Sequence, residues 1–512
     1  MKKSFLIFIL FLIPFTFQAQ GKKIERGIPE NEGISSKSIL EMVKRFENEL
    51  DAIHSYMIVK NGMVVSEGWW DPYGPNDPHL LYSLTKAYIS TAVGFAVQEN
   101  LLSVEDFVIS FFPEYAPKNL SWNMQNLRVS DLLTYSTGHV GPVLKNKTRA
   151  NIENWVKAFI ESEIKLNPGA YSTYNSFASY ILSAIIQKVS GQKLIDYLND
   201  KFFIPLSIDY PEWDSCQMGI NIEFGLHLKT EDIAKMGLFY LQNGVWNGKQ
   251  LLSREWINKA TSKQVPNGNL LDNDYQQGFG YQFWISRHNS YRGDGKDSQF
   301  CLILPDYEMA VVTTAGEGNM QNVMNIVWES LLPKLDNKSL KKDPVNHKIL
   351  LQKNKTLSLK TPKNKFKKKF EKEFKIEDNR LKIESIGFNL IKSKNEINIK
   401  IDGINQIIQI GDGSYVKNNL QNPLPYTKYN NKNIVTFGMS EEKLKKIGTS
   451  GGWISNDRCR LDSCPSFSGH QPWVSWPYTN SNQLAFQGFL LGHALLPLCQ
   501  TYCVIGIKQR QP

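Results

Sequence analysis

The first regular pattern along the chain is a pair of apolar runs. The stretch "SYMIVKNGMVVSEGWW", residues 55–70, sets them on either side of Asn61-Gly62. Asn-Gly between β-prone runs predicts a hairpin. The period then changes. In "LLYSLTKAYISTAVGFAVQENLL", residues 80–102, apolar or small residues occupy nearly every face from Leu84 to Val97. That predicts a helix buried on all sides. "SVEDFVISFF" opens with a Ser-x-x-Asp capping box, and "VSDLLTYSTGHV" reads as a short helix closing on Ser-Thr-Gly. "NSFASYILSAIIQKVSG" carries Phe177, Tyr180, Ile181, Ala184, Ile185 and Val189 at helical spacing and stops at Gly191. "KTEDIAKMGLFYLQNG" is a further helix with Gly244 at its end. Strands return in "QFCLIL" and "MAVVTT" around a "PDYE" turn, and the helix "NVMNIVWESLLPKL" follows. Strands at both ends with helices between predict an α/β (α+β) region over 24–333. Its single sheet is built from both ends of the chain, and its middle forms a helical lobe.

Beyond that region the texture shifts twice. Residues 334–364 read as a basic linker. "NEINIKIDGINQIIQIGDGSYV" alternates apolar and polar positions around Asp-Gly turns and predicts a small all-β domain over 365–445. Residues 446–512 are rich in Ser, Pro, Trp and Cys and predict no definite structure. No internal repeat is visible.

Composition and charge sharpen this picture. A chain of 512 residues with 41% hydrophobic content and 12 tryptophans builds a sizeable core, which excludes a disordered protein. The net charge of +10 is local: 20 basic and eight acidic residues lie between Lys334 and Lys400, so the remainder is close to neutral. Without a nucleic-acid-binding signature such a run reads as a solvated linker, its alternative being weak contact with an anionic envelope surface. The start "MKKSFLIFILFLIPFTFQAQ" has two lysines, an apolar run from Phe5 to Phe17 and then "QAQ". The run is short for a span of about 20 residues, so residues 1–20 read as a cleaved signal peptide and the protein as exported, periplasmic or extracellular. Six cysteines fit neither a dense disulfide framework nor a zinc pattern. Cys301 reads as a buried structural thiol, and the four after residue 450 allow one or two disulfides in the tail. No His/Asp/Glu cluster has metal spacing, so neither metal nor cofactor is expected.

The candidate chemistry starts from an oddity. Lys86 is the only charge in the apolar helix before Glu99, and a buried ammonium is costly unless something pairs with it. Ser83 stands three residues earlier, on the same face. A desolvated, neutral lysine there can take the serine's proton and make it a nucleophile. Other Ser-x-x-Lys spacings, at Ser190/Lys193, Ser339/Lys342 and Ser440/Lys443, lie in polar surroundings and read as surface lysines.

Taken in order, these segments resemble the serine β-lactamase and penicillin-binding-protein superfamily, most of all its class C β-lactamase and esterase branch. "YSLTK" with the helix after it is similar to the family's nucleophile helix. "VSDLLTYSTGH" is similar to its "LLT-x-x-SG" segment, "NPGAYSTYNSFASYILSAIIQKVSG" to its second motif, and "YRGDGKDSQFCLILPDYEMAVVTT" to its third motif on a strand. The resemblance covers about residues 25–333. It implies an antiparallel sheet flanked by helices, with Ser83 as nucleophile, Lys86 as base and Tyr174 as proton relay. Asn175 and Ser176 follow the tyrosine where the family has x-Asn, and are the substrate-binding candidates there. In the third motif Gly293-Asp294-Gly295 stands where the family usually places a cation, any residue and Gly. Arg292 and Lys296 are the nearby substitutes for that cation. The resemblance also implies an oxyanion hole formed by the N–H of Ser83 and one just after Gly295, that of Lys296. His139 follows Ser-Thr-Gly, but no Gly-x-Ser-x-Gly elbow surrounds Ser83, so His139 is expected to support a loop.

The expected activity is that of an exported serine hydrolase working through an acyl-enzyme on a small-molecule or peptide substrate: an ester, an amide or a β-lactam. The weakened third motif favours esters and amides. The alternatives are a D-Ala-D-Ala carboxypeptidase-like peptidase and a catalytically weak envelope binding or sensor module. No nucleic-acid partner is expected.

Overall fold

A computed structural model describes residues 23–141, 143, 149, 152–209 and 211–361. Beyond these it describes 370–375, 383–391, 394–412 and 414–419, and the backbone of 446–453, 458–465, 473–477 and 487–488. The segment read as a signal peptide lies outside the described residues, as do Cys499 and Cys503.

The chain opens with α1 (Ser36–Glu49), then the hairpin β1 (Ile53–Lys60) and β2 (Met63–Trp69). Asn61 and Gly62 both take positive φ, as the tight turn demands. The short β3 (His79–Leu80) leads through a 3₁₀ turn, Tyr82–Leu84, into α2 (Thr85–Gln98). The helical lobe continues with α3 (Val129–Leu133) and α4 (Ser176–Ser190), followed by β4 (Glu212–Ser215), β5 (Asn221–Leu228) and α5 (Thr230–Leu241). The chain then returns to the sheet through β6 (Trp284–Ser286), β7 (Ser290–Gly295), β8 (Gln299–Leu304) and β9 (Met309–Ala315), and closes the region with α6 (Met320–Leu331).

The main sheet runs β2-β1-β9-β8-β7-β6, with every neighbouring pair antiparallel. The first hairpin therefore joins strands some 250 residues later, as the pattern at the two chain ends predicts. Each strand splits its side chains between two cores, because successive residues point to opposite faces. Tyr56 and Ile58 of β1, Phe300 and Leu302 of β8, and Val311 of β9 join α1 and α6 on one face. Met57 and Val59, Cys301 and Ile303, and Ala310 and Val312 face α5 and the helical lobe on the other. Every residue of α2 from Thr85 to Ala96 is buried. Among the described cysteine side chains, Cys216 and Cys301 are buried and free. A second small sheet, β3-β5-β4, ties the turn before α2 to the lobe.

The basic stretch after residue 333 departs from the expected linker. It forms α7 (Pro344–Asn354), which packs on α1, and Leu350, Leu357 and Leu359 are buried against the core under α1 and α6. Most of its lysines are exposed while these three leucines pack, and charge counting hides that division. Beyond it the expected all-β segment contains an antiparallel sheet of β10 (Phe370–Lys375), β11 (Ile383–Ile391), β12 (Lys394–Ile401) and β13 (Ile404–Gln409). Strands also form at Lys446–Trp453 and Arg458–Pro465, where the sequence predicts no definite structure.

Candidate active site

The site forms where the start of α2 meets β5 and the end of β7. Leu81 N–H donates to Leu226 O at 2.8 Å, and Leu226 N–H donates to Thr85 Oγ1 at 3.2 Å. These two bonds pin the 3₁₀ turn that carries Ser83 to β5. Tyr82, just before the serine, holds the left-handed conformation at φ 47°, which costs roughly 1–2 kcal/mol for a residue with a Cβ. The surrounding hydrogen bonds offset that strain and present Ser83 at the lip of the cleft.

Lys86 is 2% exposed, and its Nζ lies 2.9 Å from Ser83 Oγ. Lys86 Nζ also donates to the carbonyl oxygen of Glu223 on β5 at 3.2 Å. Tyr174 OH donates to Ser83 Oγ at 2.6 Å. Two groups able to exchange protons thus converge on one hydroxyl oxygen. Tyr174 is held by its ring. Tyr135 meets it edge-on at 4.8 Å, and Trp284 of β6 stacks on it at 6.0 Å with an interplanar angle of 17°. Thr173 N–H donates to Tyr135 O, and Ser172 Oγ to Thr134 O, so the loop carrying Tyr174 follows α3. Tyr135 is fixed in turn: its hydroxyl donates to Gln282 Oε1 at 2.9 Å, and burial raises it far above the ordinary tyrosine range.

The remaining residues of the second motif take a structural position. Asn175 is the N-cap of α4. Its Oδ1 accepts from Phe177 N–H at 3.1 Å, while Nδ2 donates to Thr137 Oγ1 at 3.3 Å. Ser176 is the first residue of that helix. His139 bridges Thr137 Oγ1 and Ser162 Oγ through its two ring nitrogens, and burial lowers it to about 4. It is a loop-bracing imidazole, separate from the serine's hydrogen-bond chain.

Small residues on β7 let the strand approach the turn that carries Ser83. A Cβ at Gly295 would meet Leu81 O at 2.0 Å and Leu84 N at 3.1 Å, and one at Gly293 would meet Leu84 Cδ1 at 2.5 Å. A side chain at Gly293 would therefore have to displace the tip of Leu84. Arg292, one candidate replacement, is fully buried. Nε donates to Asp294 Oδ2 at 2.9 Å, Nη1 donates to Asp274 O and Ser286 Oγ, and the guanidinium lies over the rings of Tyr275 and Trp284. Arg292 braces β7 against β6 and offers no charge to the cleft, which corrects that expectation. Burial raises the Asp294 carboxyl while the Arg292 guanidinium pulls it back. Lys296 is half exposed, its Nζ 4.0 Å from Asp297 Oδ2.

Sequence reasoning missed Glu223 and Arg149. Glu223 is buried completely, and its two carboxylate oxygens take both terminal nitrogens of Arg149, at 2.5 and 3.0 Å. The guanidinium lies over the rings of Phe177, Trp155 and Phe224. A glutamate inside the strand text "NIEFGLHL" was the available signal. Among the described residues, no group of three or more His, Cys, Asp or Glu is placed to hold a metal, and no helix is long and apolar enough to cross a membrane.

The sequence matches known proteins. A protein-family model described as Beta-lactamase matches residues 46–321, more than half of the 512-residue chain. An uncharacterized protein of Alkalihalophilus pseudofirmus is 26% identical over 227 residues, 42% of this chain and 66% of that protein. The 6-aminohexanoate-dimer hydrolase of Paenarthrobacter ureafaciens is 21% identical over 217 residues, 40% of this chain and 55% of that enzyme. The chain thus spans between half and two thirds of the length of these two relatives. Among solved structures, a penicillin-binding protein homologue from Caulobacter crescentus aligns over 60% of this chain and 100% of its own, with 14% identity and a TM-score of 0.49.

Proposed function

The chain belongs to the β-lactamase family; from that premise we propose that it is a serine hydrolase that works through an acyl-enzyme on Ser83 and cleaves a small ester or short amide. The observation that carries this reading is the convergence of Lys86 Nζ and Tyr174 OH on Ser83 Oγ, at 2.9 and 2.6 Å.

In this account Ser83 Oγ attacks the substrate carbonyl carbon while its proton passes to the neutral Lys86 amine, directly or through Tyr174. The carbonyl oxygen gains the negative charge. The backbone N–H groups of Ser83 and Lys296 receive it, across the gap that Gly295 keeps narrow. Such a donor is typically worth about 2.7–4 kcal/mol. The tetrahedral intermediate collapses, the leaving group departs with a proton relayed by Tyr174 or Lys86, and water repeats the sequence to release the acyl group. The third motif supports uncharged substrates: Gly293 bears no cation, and Arg292 is buried among its own partners. Of the two cations flanking the motif, Lys296 is the half-exposed one, and its Nζ already faces Asp297 Oδ2 at 4.0 Å. The two lysines and the apolar run that follows them in residues 1–20 support export.

The test is labelling of the full-length protein with a fluorophosphonate probe, followed by peptide mapping and a panel of chromogenic esters and cephalosporins. An adduct on Ser83, with esters turned over faster than cephalosporins, is expected. A folded protein that takes no adduct, or takes it elsewhere, would overturn the assignment.

A further inference from the structure

Glu223 touches the chemistry in two ways. Its backbone carbonyl accepts from Lys86 Nζ at 3.2 Å, and its carboxylate, fully buried, belongs to that same residue. The charge reaches into the wall of the cleft: it acts on the hydroxyls of both Tyr135 and Tyr180, and Tyr135 packs against Tyr174. A lone buried carboxylate beside a lysine favours the protonated amine. That is the wrong state for a base, because an ammonium cannot accept the serine's proton. Arg149 supplies the compensation. Its guanidinium grips both carboxylate oxygens and is itself 21% exposed, roofed by Trp155, Phe177 and Phe224.

Resting on the assignment of Lys86 as base, we infer that Arg149 and Glu223 are a positioning pair: the pair fixes the β5 carbonyl that orients Lys86, and Arg149 cancels a charge that would keep Lys86 protonated. The other groups facing Lys86 are accounted for among the described residues. Asp294 on β7 acts on it but is held by Arg292. Tyr174 presents its ring at 5.5 Å and its hydroxyl to Ser83, and Tyr135 lies behind that ring. The Glu223 carboxylate is thus the charge whose balance depends on a residue from outside the sheet and helix that build the site.

The experiment reads the pH profile of kcat/KM for p-nitrophenyl acetate in the full-length protein. Arg149→Gln leaves the carboxylate uncompensated, so the acid limb moves up by about one pH unit, and the rate below the limb falls about tenfold. Glu223→Gln leaves the guanidinium alone, and the limb moves down. The double variant restores the parental limb, and Arg149→Lys stays near it. A role in folding alone moves melting temperature or overall rate and leaves the limb in place. The inference falls if Arg149→Gln and Glu223→Gln move the limb in the same direction, if neither moves it, or if the double variant behaves like Arg149→Gln. Should Arg149→Gln not fold, Glu223→Gln and Arg149→Lys decide: a lowered limb in the first with an unmoved limb in the second supports the pair, and an unmoved limb in the first overturns it. Ser83→Ala separates this from the functional reading. Turnover that survives Ser83→Ala sinks the hydrolase assignment itself, whereas unmoved limbs with an inert Ser83→Ala sink only the pair.

Discussion

Gly295 and Leu81 are in backbone contact across the mouth of the site: a Cβ on the first would lie 2.0 Å from the carbonyl oxygen of the second. Leu81 is two residues before Ser83, so the end of β7 and the Ser83 turn are set against each other with no room for a side chain. Gly295→Ala is expected to push them apart. A displacement of about 1 Å in such a site costs on the order of 10²-fold in rate. Acylation by a chromogenic ester should fall by about that factor while the protein still melts cooperatively.

Tyr174 combines two separable functions, a ring wedged between Tyr135 and Trp284 and a hydroxyl on Ser83. Tyr174→Phe keeps the first and removes the second. Proton-transfer assistance is typically worth about 10²–10⁴-fold, so kcat/KM should fall within that range at an unchanged melting temperature. A loss confined to stability would assign the residue to packing alone.

Asp294 neutralises a buried arginine. Asp294→Ala leaves the Arg292 Nε proton facing a site that excludes water, and breaking one side of a buried pair costs about 3–5 kcal/mol. Equilibrium denaturation should show that loss, and replacing Arg292 with Met in the same chain should recover much of it.

Burial holds His79 and His139 at about 4, below the ordinary imidazole value of 6.5. Their stabilising effect is complete above 6.5. As pH falls from there towards 4, the unfolded chain takes up protons that the folded chain refuses, and stability is lost. The melting temperature should therefore drop between about pH 7 and pH 4.5. His79→Phe, which keeps an aromatic ring against Tyr73 and cannot titrate, should show a smaller drop over the same interval.

Much of this was legible from short-range pattern. The Asn61-Gly62 hairpin, the buried helix around Lys86 and the Gly191 stop each follow from local chemistry, and all three form. Ser83, Lys86 and Tyr174 were visible because Ser83 and Lys86 share one turn and Tyr174 falls within a recognisable segment. The rest depended on contacts distant in sequence. Arg292 carries a charge that a sequence offers to the substrate, yet Asp274, Ser286 and Asp294 take it up. Asn175 could bind a ligand by composition, but the first turn of α4 uses its side chain. Glu223 and Arg149, 74 positions apart, share no local period at all. The lysines of 334–364 suggested a linker because net charge does not reveal that Leu350, Leu357 and Leu359 reach the core.

The central claim is that Lys86 acts as a base on Ser83, and the acylation rate of Lys86→Arg tests it most directly. Arginine keeps the positive charge and can still reach the Glu223 carbonyl, but it cannot give up its proton at working pH. Pre-steady-state acylation by a chromogenic ester should slow by about 10²–10⁴-fold in a variant whose thermal melt shows it folded. Acylation at near the parental rate would contradict the account and leave Lys86 as a structural charge.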